Sequence, residues 1–339
     1  MRKPILILGL LLLTTQAQAQ MTISAMGDIL VHEALYIEAQ NSPEGFYSLF
    51  KTVKPLLDQA DFSYGNLEGC VAPGVNSSGV NTTDPGFKYD KNVYSGTNFL
   101  FNYHKSLITD LQKLGVDLVS TANNHSLDRG SLGAERTIES LNSAGMLFNG
   151  TRTAGSSPTI TWTTVKGHQV GWIACTEETN GLPDKKNQVL KCFKDQAAIE
   201  AMVTQYRNYI LILTPHWGVE NSMVPNQNQK TWAKRMAEIG ATAIIGNHPH
   251  VLQPIEWIST TDARRVLVAY SLGNFLAWQK GTEKKASVIL YLEFDAAGKL
   301  ASYYYRPTWR GGNWVMPYQK SFGPEPLQYI QKILGPSPK

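Results

Sequence analysis

Residues 241–250 read ATAIIGNHPH, an apolar run that ends abruptly in a polar histidine motif. The apolar part predicts a buried strand, and an earlier segment of the same pattern, YILILTPH (209–216), predicts another. A helix is predicted between them at 227–239. This order of strand, polar turn and helix recurs through the first three quarters of the chain, which indicates an α/β domain with largely parallel strands.

The other predicted elements continue this alternation, and the last quarter is richer in strands. Residues 71–98 are rich in Gly, Asn, Ser and Pro, which predicts a long loop that borders the functional site and covers a ligand. Helices are predicted at 46–57, where apolar residues recur at helical spacing, and at 103–114 and 132–144. Further strands are predicted at 21–26, within 61–69, and at 117–120, 168–175, 265–275, 286–294 and 300–309.

The composition excludes several classes of protein. Of the 339 residues, 42% are hydrophobic and 17% are charged, which is not the composition of a disordered chain or a coiled coil. The net charge of +4 is small and scattered, so no nucleic acid is expected among the partners. Since there is neither an internal repeat nor a low-complexity linker, residues 20–339 are expected to form a single domain.

The N-terminus has the features of a signal peptide. Arg2 and Lys3 precede an apolar run at 5–13, and small residues at Ala17 and Ala19 predict cleavage before Gln20. The alternative is a retained anchor, but the run is about half the length that a spanning helix needs. Residues 1–19 are therefore expected to direct export to the periplasm or beyond the cell, leaving no stable membrane span after cleavage.

Export would place the three cysteines in an oxidising compartment. Cys175 and Cys192 flank a polar segment that contains Gly and Pro, which predicts a loop. The sequence leaves two alternatives open: a disulfide between these two residues, or three buried thiols including Cys70.

Polar motifs follow predicted strands in five places and contain most of the histidines. Because the carboxyl ends of strands in open α/β sheets form the ligand site, these side chains are expected to converge. Imidazole, carboxylate and amide groups without thiolates suit Zn²⁺, Mn²⁺ or Fe, although a single strand-end histidine is also compatible with an ordinary hydrogen-bonded residue. His104 and His168 lie outside the motifs and are expected to be structural. The motifs are GDILVH (27–32), GNLEG (65–69), TANNHSLD (121–128), TPHWGVE (214–220) and GNHPH (246–250).

These motifs, with IIGNHPHVLQPIE (244–256) and YSLGNF (270–275), resemble in order and wording the CapA family over about residues 21–280. The family comprises bacterial capsule-synthesis or poly-γ-glutamate-synthesis proteins of the calcineurin-like metallophosphatase superfamily. The resemblance implies a four-layer α/β/β/α metallophosphatase-like sandwich with a dinuclear metal centre. A β-rich part at 281–339 follows the matched region.

The resemblance also implies a function for individual residues. Compared with the superfamily pattern, His32 follows Asp28 by four residues instead of two, and Glu68 stands where that pattern has a bridging Asp. The implied metal ligands are Asp28, His32, Glu68, Asn124, His216, His248 and His250. The implied catalytic residues are Asn124, His125 and Asp128. The residues expected to lie beside these and position them are Asn66, Asn123, Glu220 and Asn274.

Together these features predict an exported CapA-like protein of capsule or poly-γ-glutamate synthesis that uses one or two divalent ions (Mn, Fe or Zn) to hydrolyse a phosphoester. Two alternatives stay open: a non-catalytic accessory protein that binds an anionic polymer during assembly or export, and a metal-dependent amide hydrolase that acts on poly-γ-glutamate. The expected partners are an anionic polymer or a phosphoester or amide substrate, together with the capsule-synthesis machinery. Two metal ions suit hydrolysis because they stabilise both the attacking and the leaving oxygen.

Overall fold

Strands and helices alternate along much of the chain in a computed structural model that describes residues 21–339. The predicted signal peptide at 1–19 lies outside the described residues. The strands are β1 (Met21–Leu30), β2 (Phe62–Leu67), β3 (Leu118–Ser120), β4 (Leu147–Asn149), β5 (Thr161–Val165), β6 (His168–Thr176), β7 (Ile210–His216), β8 (Ala243–Ile245), β9 (Leu252–Ser259), β10 (Arg265–Leu272), β11 (Asn274–Ala277), β12 (Ala286–Phe294), β13 (Leu300–Gly311) and β14 (Trp314–Pro317). The helices are α1 (Glu33–Asn41), α2 (Lys54–Leu57), α3 (Ser106–Leu114), α4 (Gly130–Ala144), α5 (Gln196–Gln205), α6 (Gln227–Ile239), α7 (Thr282–Lys285) and α8 (Glu325–Leu334).

The strands form two sheets. The first has the order β14-β13-β12-β1-β2-β3-β4, and β11 also pairs with β1. Strands β1 to β4 are parallel, while β12 pairs antiparallel with β1 and so joins the β-rich C-terminal part to the sheet. The second sheet has the order β5-β6-β7-β8-β10-β9, in which β6, β7, β8 and β10 are parallel. The parallel strands of each sheet therefore present their carboxyl ends at one edge.

Three hydrophobic cores show how the sheets and helices are layered. Between the two sheets, Tyr64 of β2 stacks on Trp172 of β6, with 5.6 Å between the ring centroids. On the outer face of the first sheet α3 buries Leu107, and on the outer face of the second sheet α6 buries Trp232. Burying an apolar side chain the size of leucine stabilises the fold by about 1.5–3 kcal/mol. The order helix, sheet, sheet, helix confirms the predicted four-layer α/β/β/α sandwich.

The helix predicted at 46–57 is wrong. The segment forms two 3₁₀ turns, Gly45–Leu49 and Lys51–Val53, which are followed by the short helix α2. Pro55 lies in the first turn of α2, and because it has no backbone N–H it cannot continue helical hydrogen bonding from the preceding turn. The apolar spacing reflects packing instead, since Phe46 is buried beneath the first sheet.

The single strand predicted at 265–275 is also wrong, because it is divided between the two sheets. Gly273, at a φ of 67°, separates β10 in the second sheet from β11 in the first. The backbone of β1 passes so close to this crossing that a Cβ on Gly27 would lie 1.8 Å from the carbonyl oxygen of Gly273. The amide of Asp28 donates to that same oxygen at 2.9 Å. The crossing thus fixes the position of Asp28 where the two sheets meet.

One smaller prediction also differs from the structure. His104 precedes α3 instead of lying within the helix predicted at 103–114, whereas His168 begins β6, as the strand predicted at 168–175 requires. No helix within residues 21–339 is both long and apolar enough to cross a membrane.

Candidate metal centre

The polar motifs meet at the edge of the sandwich where the parallel strands end. Asp28 lies near the end of β1, Glu68 directly follows β2, and Asn124 lies in the turn after β3. From the second sheet, His216 ends β7 and the segment 248–250 follows β8. The side chains of Asp28, Glu68, Asn124, His216, His248 and His250 are all buried. The position of each motif at a strand end therefore accounts for the convergence.

Three of these residues form what we name the carboxylate–histidine group: Asp28, Glu68 and His250. One ligand atom from each lies within 4.8 Å of the other two. The Nδ1 atom of His250 is 3.2 Å from Oδ2 of Asp28, and its Nε2 atom is 3.9 Å from Oε1 of Glu68. Within residues 21–339, neither carboxylate oxygen of Glu68 has a hydrogen-bond partner, although both are buried. An unpartnered buried carboxylate is costly, and a bound cation would satisfy it, so this donor set fits a divalent metal.

The electrostatics of the group also favour a cation. Burial, and next to it the charge of Asp28, raise the pKa of Glu68 well above its usual value. For His250, burial opposes protonation, but Glu68 and Asp28 outweigh it and raise the pKa to about 9. Two carboxylates held this close in a buried site therefore need positive charge, which a proton on His250 or a metal ion can supply.

A second set of nitrogen and oxygen atoms lies on the other side of Glu68. The Nε2 atom of His216 is 2.9 Å from Oδ1 of Asn124, 3.1 Å from Nδ1 of His248, and 3.6 Å from Oε1 of Glu68. Burial, with a further contribution from His248, lowers the pKa of His216 well below its usual value, and burial lowers that of His248 to about 4. Both imidazoles are thus neutral at physiological pH, which is the form that binds metals.

The backbone of the GNHPH motif is strained. His248 and His250 have φ angles of 101° and 59°, in the left-handed region that residues other than glycine seldom occupy. The turn around Pro249 brings both imidazoles to the cluster, and their ring centroids are 6.2 Å apart. Strain of this kind is found where a functional geometry is imposed by the surrounding structure.

His125 is held differently, in what we name the His125–Asp128 pair. Its Nδ1 atom lies 2.8 Å from Oδ2 of Asp128, the same oxygen that accepts a 2.6 Å hydrogen bond from the amide of Phe101. Burial raises the pKa of Asp128. With Nδ1 donating to the carboxylate, Nε2 is the free nitrogen, and it lies 4.0 Å from Oε1 of Glu68. The side chain of Asn123 accepts from the amide of His125 at 3.1 Å, which fixes the turn.

The other predicted site residues lie around these two groups. Asn66 donates to Oδ1 of Asp28 at 2.8 Å and lies 3.2 Å from Nδ1 of His216. His32 lies outside the carboxylate–histidine group, and its Nδ1 accepts from the amide of Trp278 at 3.2 Å. Asn274 donates to the side chain of Gln279 and to the carbonyl of Lys284. Asn66 therefore positions two of the predicted ligands, whereas Asn274 stabilises the chain beyond β11.

A cavity of about 380 Å³ opens onto the cluster. His32, Asn124, His125, Glu220 and His250 contribute to its wall. Part of the wall comes from 98–101, and another part from the segment 176–191. The residues from these two segments, none of which the sequence had indicated, are Phe99, Leu100, Phe101, Asn180 and Leu182.

A disulfide between Cys175 and Cys192 brackets the segment 176–191, which settles the alternative that the sequence left open. Cys70 is a buried free thiol, and burial raises its pKa to about 12. Asn180 of the bracketed segment accepts from the side-chain amide of Asn124 at 3.2 Å. The spacing of the two cysteines was the available signal that this loop is cross-linked, although it did not indicate that the loop lies near the site.

The loop at 71–98 is anchored beside the cavity. Val93 and Tyr94 are buried, and Arg129 donates from its guanidinium to the carbonyl of Val93 and to the hydroxyl of Ser95. Asn98 is its one residue on the cavity wall within the described chain. That the loop covers a ligand stays a prediction.

Comparison with known proteins places the sequence among capsule-synthesis proteins. It is 27% identical over 289 residues to the PGA biosynthesis protein CapA of Bacillus subtilis (strain 168), covering 84% of this chain and 70% of that protein. It is 26% identical over 286 residues to the capsule biosynthesis protein CapA of Bacillus anthracis, covering 80% of this chain and 63% of that protein, less than two thirds of its length.

Among solved structures, a hypothetical protein from Thermus thermophilus is similar with a TM-score of 0.51 and 13% sequence identity. The similarity covers 88% of this chain and 100% of that one, and at this level of identity it shows likeness of fold alone.

The family match itself extends over residues 22–279, described as bacterial capsule synthesis protein PGA_cap. This range contains each of the strand-end motifs and all the residues of both groups in the cluster. The resemblance that the motifs indicated is therefore confirmed. The chain belongs to the PGA_cap family of bacterial capsule synthesis proteins.

Proposed function

We propose that this protein is an exported hydrolase that depends on one or two divalent ions (Mn, Fe or Zn) and acts in capsule or poly-γ-glutamate synthesis. The observation that carries the proposal is Glu68, whose two buried oxygens have no hydrogen-bond partner within the described chain. Its neighbours include two neutral histidines and a carboxylate, which is the donor set of a divalent-metal site. Export rests on the signal sequence at 1–19.

The ligands we propose fall on either side of Glu68. Asp28 and His250 complete one set, while Asn124, His216 and His248 form the other. Oε1 of Glu68 lies 3.9 Å from Nε2 of His250 and 3.6 Å from Nε2 of His216, so this one carboxylate faces both sets. A divalent ion bound there supplies Lewis-acid polarisation of a substrate oxygen and lowers the pKa of water.

His125 is the residue we propose to move a proton. Asp128 accepts from its Nδ1 and so fixes the ring, while Nε2 faces the cavity that Asn124 and His250 also line. In this orientation Nε2 can accept a proton from the attacking water and pass it to the oxygen or nitrogen of the leaving group. Such a general acid contributes about 10²–10⁴-fold to a hydrolytic rate.

The bond that is hydrolysed has two candidates. A phosphoester is the first, by resemblance of the motifs to metallophosphatases. An amide, as in poly-γ-glutamate, is the second, and one observation favours it: no lysine or arginine lines the cavity within residues 21–339, and Glu220 does. Cleavage of an amide bond, which is itself neutral, needs no cationic side chain beside the reacting atoms, whereas a phosphoester bound here would rely on the metal ions alone to neutralise its charge.

The test is a hydrolysis screen of the mature protein loaded separately with Mn²⁺, Fe²⁺ or Zn²⁺. Phosphate monoesters and diesters form one arm and γ-glutamyl oligomers the other, with Glu68→Gln as the metal-site variant. Hydrolysis in either arm that is lost in Glu68→Gln is expected and identifies the substrate class. A metal-replete protein that is inert on both would overturn the enzyme proposal and favour the accessory protein that binds an anionic polymer.

A further inference from the structure

A second cavity lies where the chain passes from the first sheet to the second, between β4 and β5. It has a volume of about 430 Å³. Ile138, Phe148 and Leu190 give it an apolar wall, while Thr153, Ser157 and Thr159 place hydroxyl groups around it. Arg152 also lines this cavity and is the one charged residue that does so within the described chain.

Arg152 is buried but unpaired. The residue is 9% exposed, its side chain forms no hydrogen bond or ion pair with any group in residues 21–339, and its Nε atom is buried. The carboxylates that influence it electrostatically are those of Asp184 and Asp195, and both are bonded to backbone amides. Asp184 accepts from the amides of Gln188 and Val189, and Asp195 accepts from that of Lys191.

The buried Nε of Arg152 is a donor that meets no acceptor in the described chain, which is costly, while its two terminal nitrogens stay open to the cavity. The guanidinium stays charged at any physiological pH, so an oxyanion is the group that satisfies it. We propose that this cavity binds a carboxylate-bearing aliphatic unit of an acidic polymer, with the carboxylate on Arg152 and the methylene groups against Ile138 and Leu190. The choice of polymer, γ-linked glutamate, rests on the proposed function.

The chemistry of the cavity favours a carboxylate over a phosphate. One guanidinium matches one negative charge in a planar, two-point geometry, and the nearby Asp184 and Asp195 oppose a doubly charged ligand. An apolar wall contributes nothing to inorganic phosphate, whereas it removes the methylene groups of a glutamyl unit from water.

The two cavities are joined by the disulfide-bracketed segment 176–191. The amide of Arg152 donates to the carbonyl of Gln188 at 2.8 Å, and Thr151 pairs with Val189. Leu190 lines the cavity beside Arg152, while Asn180 of the same segment lines the cavity over the metal centre. The same disulfide-bracketed segment therefore contributes to the wall of both cavities.

The test is calorimetric titration of the metal-loaded mature protein with penta-γ-glutamate and, separately, with inorganic phosphate. Arg152→Gln is expected to weaken binding of the oligomer by about tenfold or more, the loss of a charge-assisted pair. Arg152→Lys is expected to restore only part of the affinity, because lysine has no planar fork. Arg306→Gln is the matched control: it lies on β13, at the other side of the first sheet from β4, and should bind within about twofold of the parent.

Three results would overturn the proposal. The first is unchanged oligomer affinity in a folded Arg152→Gln variant, and the second is an equal loss of affinity in Arg306→Gln. The third is inorganic phosphate that displaces the oligomer by competing for Arg152. If Arg152→Gln does not fold, full affinity in Arg152→Lys would overturn it equally. Hydrolysis distinguishes this inference from the function on which it rests. If the oligomer binds through Arg152 but is not hydrolysed, the proposed hydrolase activity is wrong and the Arg152 site stands. If the protein hydrolyses its substrate but the oligomer does not bind through Arg152, the activity stands and the site is wrong.

Discussion

The two halves of the buried cluster differ in how their polar atoms are used. In the carboxylate–histidine group, the oxygens of Glu68 are buried without partners in the described chain. In the His125–Asp128 pair, one carboxylate oxygen binds both the imidazole and the amide of Phe101. Both oxygens of Glu68 are thus open to a cation, whereas Oδ2 of Asp128 already holds the ring of His125 in one orientation. The comparison thus separates a binding function from a positioning one within a single cluster.

The largest expected effect comes from substituting the proposed metal ligands, beginning with Glu68 of the carboxylate–histidine group. Glu68→Gln keeps the shape of the side chain and removes its charge, so metal affinity should fall by more than the roughly 10–100-fold typical of residues that only support ligands. His248→Ala and His250→Ala should also lose metal. Elemental analysis after dialysis measures this, with Glu139→Gln, which replaces an exposed carboxylate of α4 that pairs with Arg136, as the control. Full metal retention in both histidine variants would show that the GNHPH segment is structural.

The next largest effect is expected from substituting His125 of the His125–Asp128 pair. His125→Ala should retain the metal and lose hydrolytic rate by about 10²–10⁴-fold, the contribution of a general acid. His104→Ala is the matched control, since that histidine packs against Phe87 and Tyr94 away from the cluster. Rates are compared at equal metal content. If His125→Ala loses its metal instead, His125 supports metal binding, and the distinction between the carboxylate–histidine group and the His125–Asp128 pair is wrong.

A smaller effect is expected for Asp128→Asn. The amide oxygen can still accept from Phe101, so the turn is kept, but the imidazole loses the carboxylate that fixes its orientation. We expect a rate reduction toward the lower end of the range for His125→Ala, about 10²-fold or less, with metal content and thermal unfolding midpoint unchanged. A loss equal to that of His125→Ala would mean that the pair acts as one unit.

The sequence predicted the carboxylate–histidine group better than the rest of the site. Strand-end motifs were sufficient to bring Glu68 and His250 together, because parallel strands in each sheet end at the same edge. Local patterns could not show which atoms would be unpaired, since that depends on contacts such as Phe101 to Asp128 between distant segments. Residues of the irregular wall, including Asn180 and Phe99, follow no periodicity, so nothing in the sequence placed them at the cavity.

The same distinction applies to the fold. The four layers were predictable because alternating strands and helices with largely parallel pairing have few arrangements. The errors fell where tertiary contacts override local pattern. Apolar spacing at 46–57 predicts a helix although Pro55 interrupts it, and the division of 265–275 at Gly273 depends on the neighbouring backbone of Gly27.

The smallest effect on the cluster is expected from the disulfide, because the segment that it closes reaches the cluster through Asn180, which contacts Asn124 and His125. Replacing Cys175 and Cys192 by serine releases the segment 176–191, whose Asn180 and Leu182 line the cavity. A cross-link over 17 residues stabilises the fold by about 3 kcal/mol, so the unfolding midpoint should fall. The proposed metal ligands lie on other segments, so metal content and kcat should stay within about twofold while KM rises, because the cavity wall proposed to position substrate is loosened. The control is Cys70→Ser, which removes a thiol without opening a loop. A loss of metal in the double serine variant would show that the bracketed segment supports the carboxylate–histidine group as well as the cavity wall.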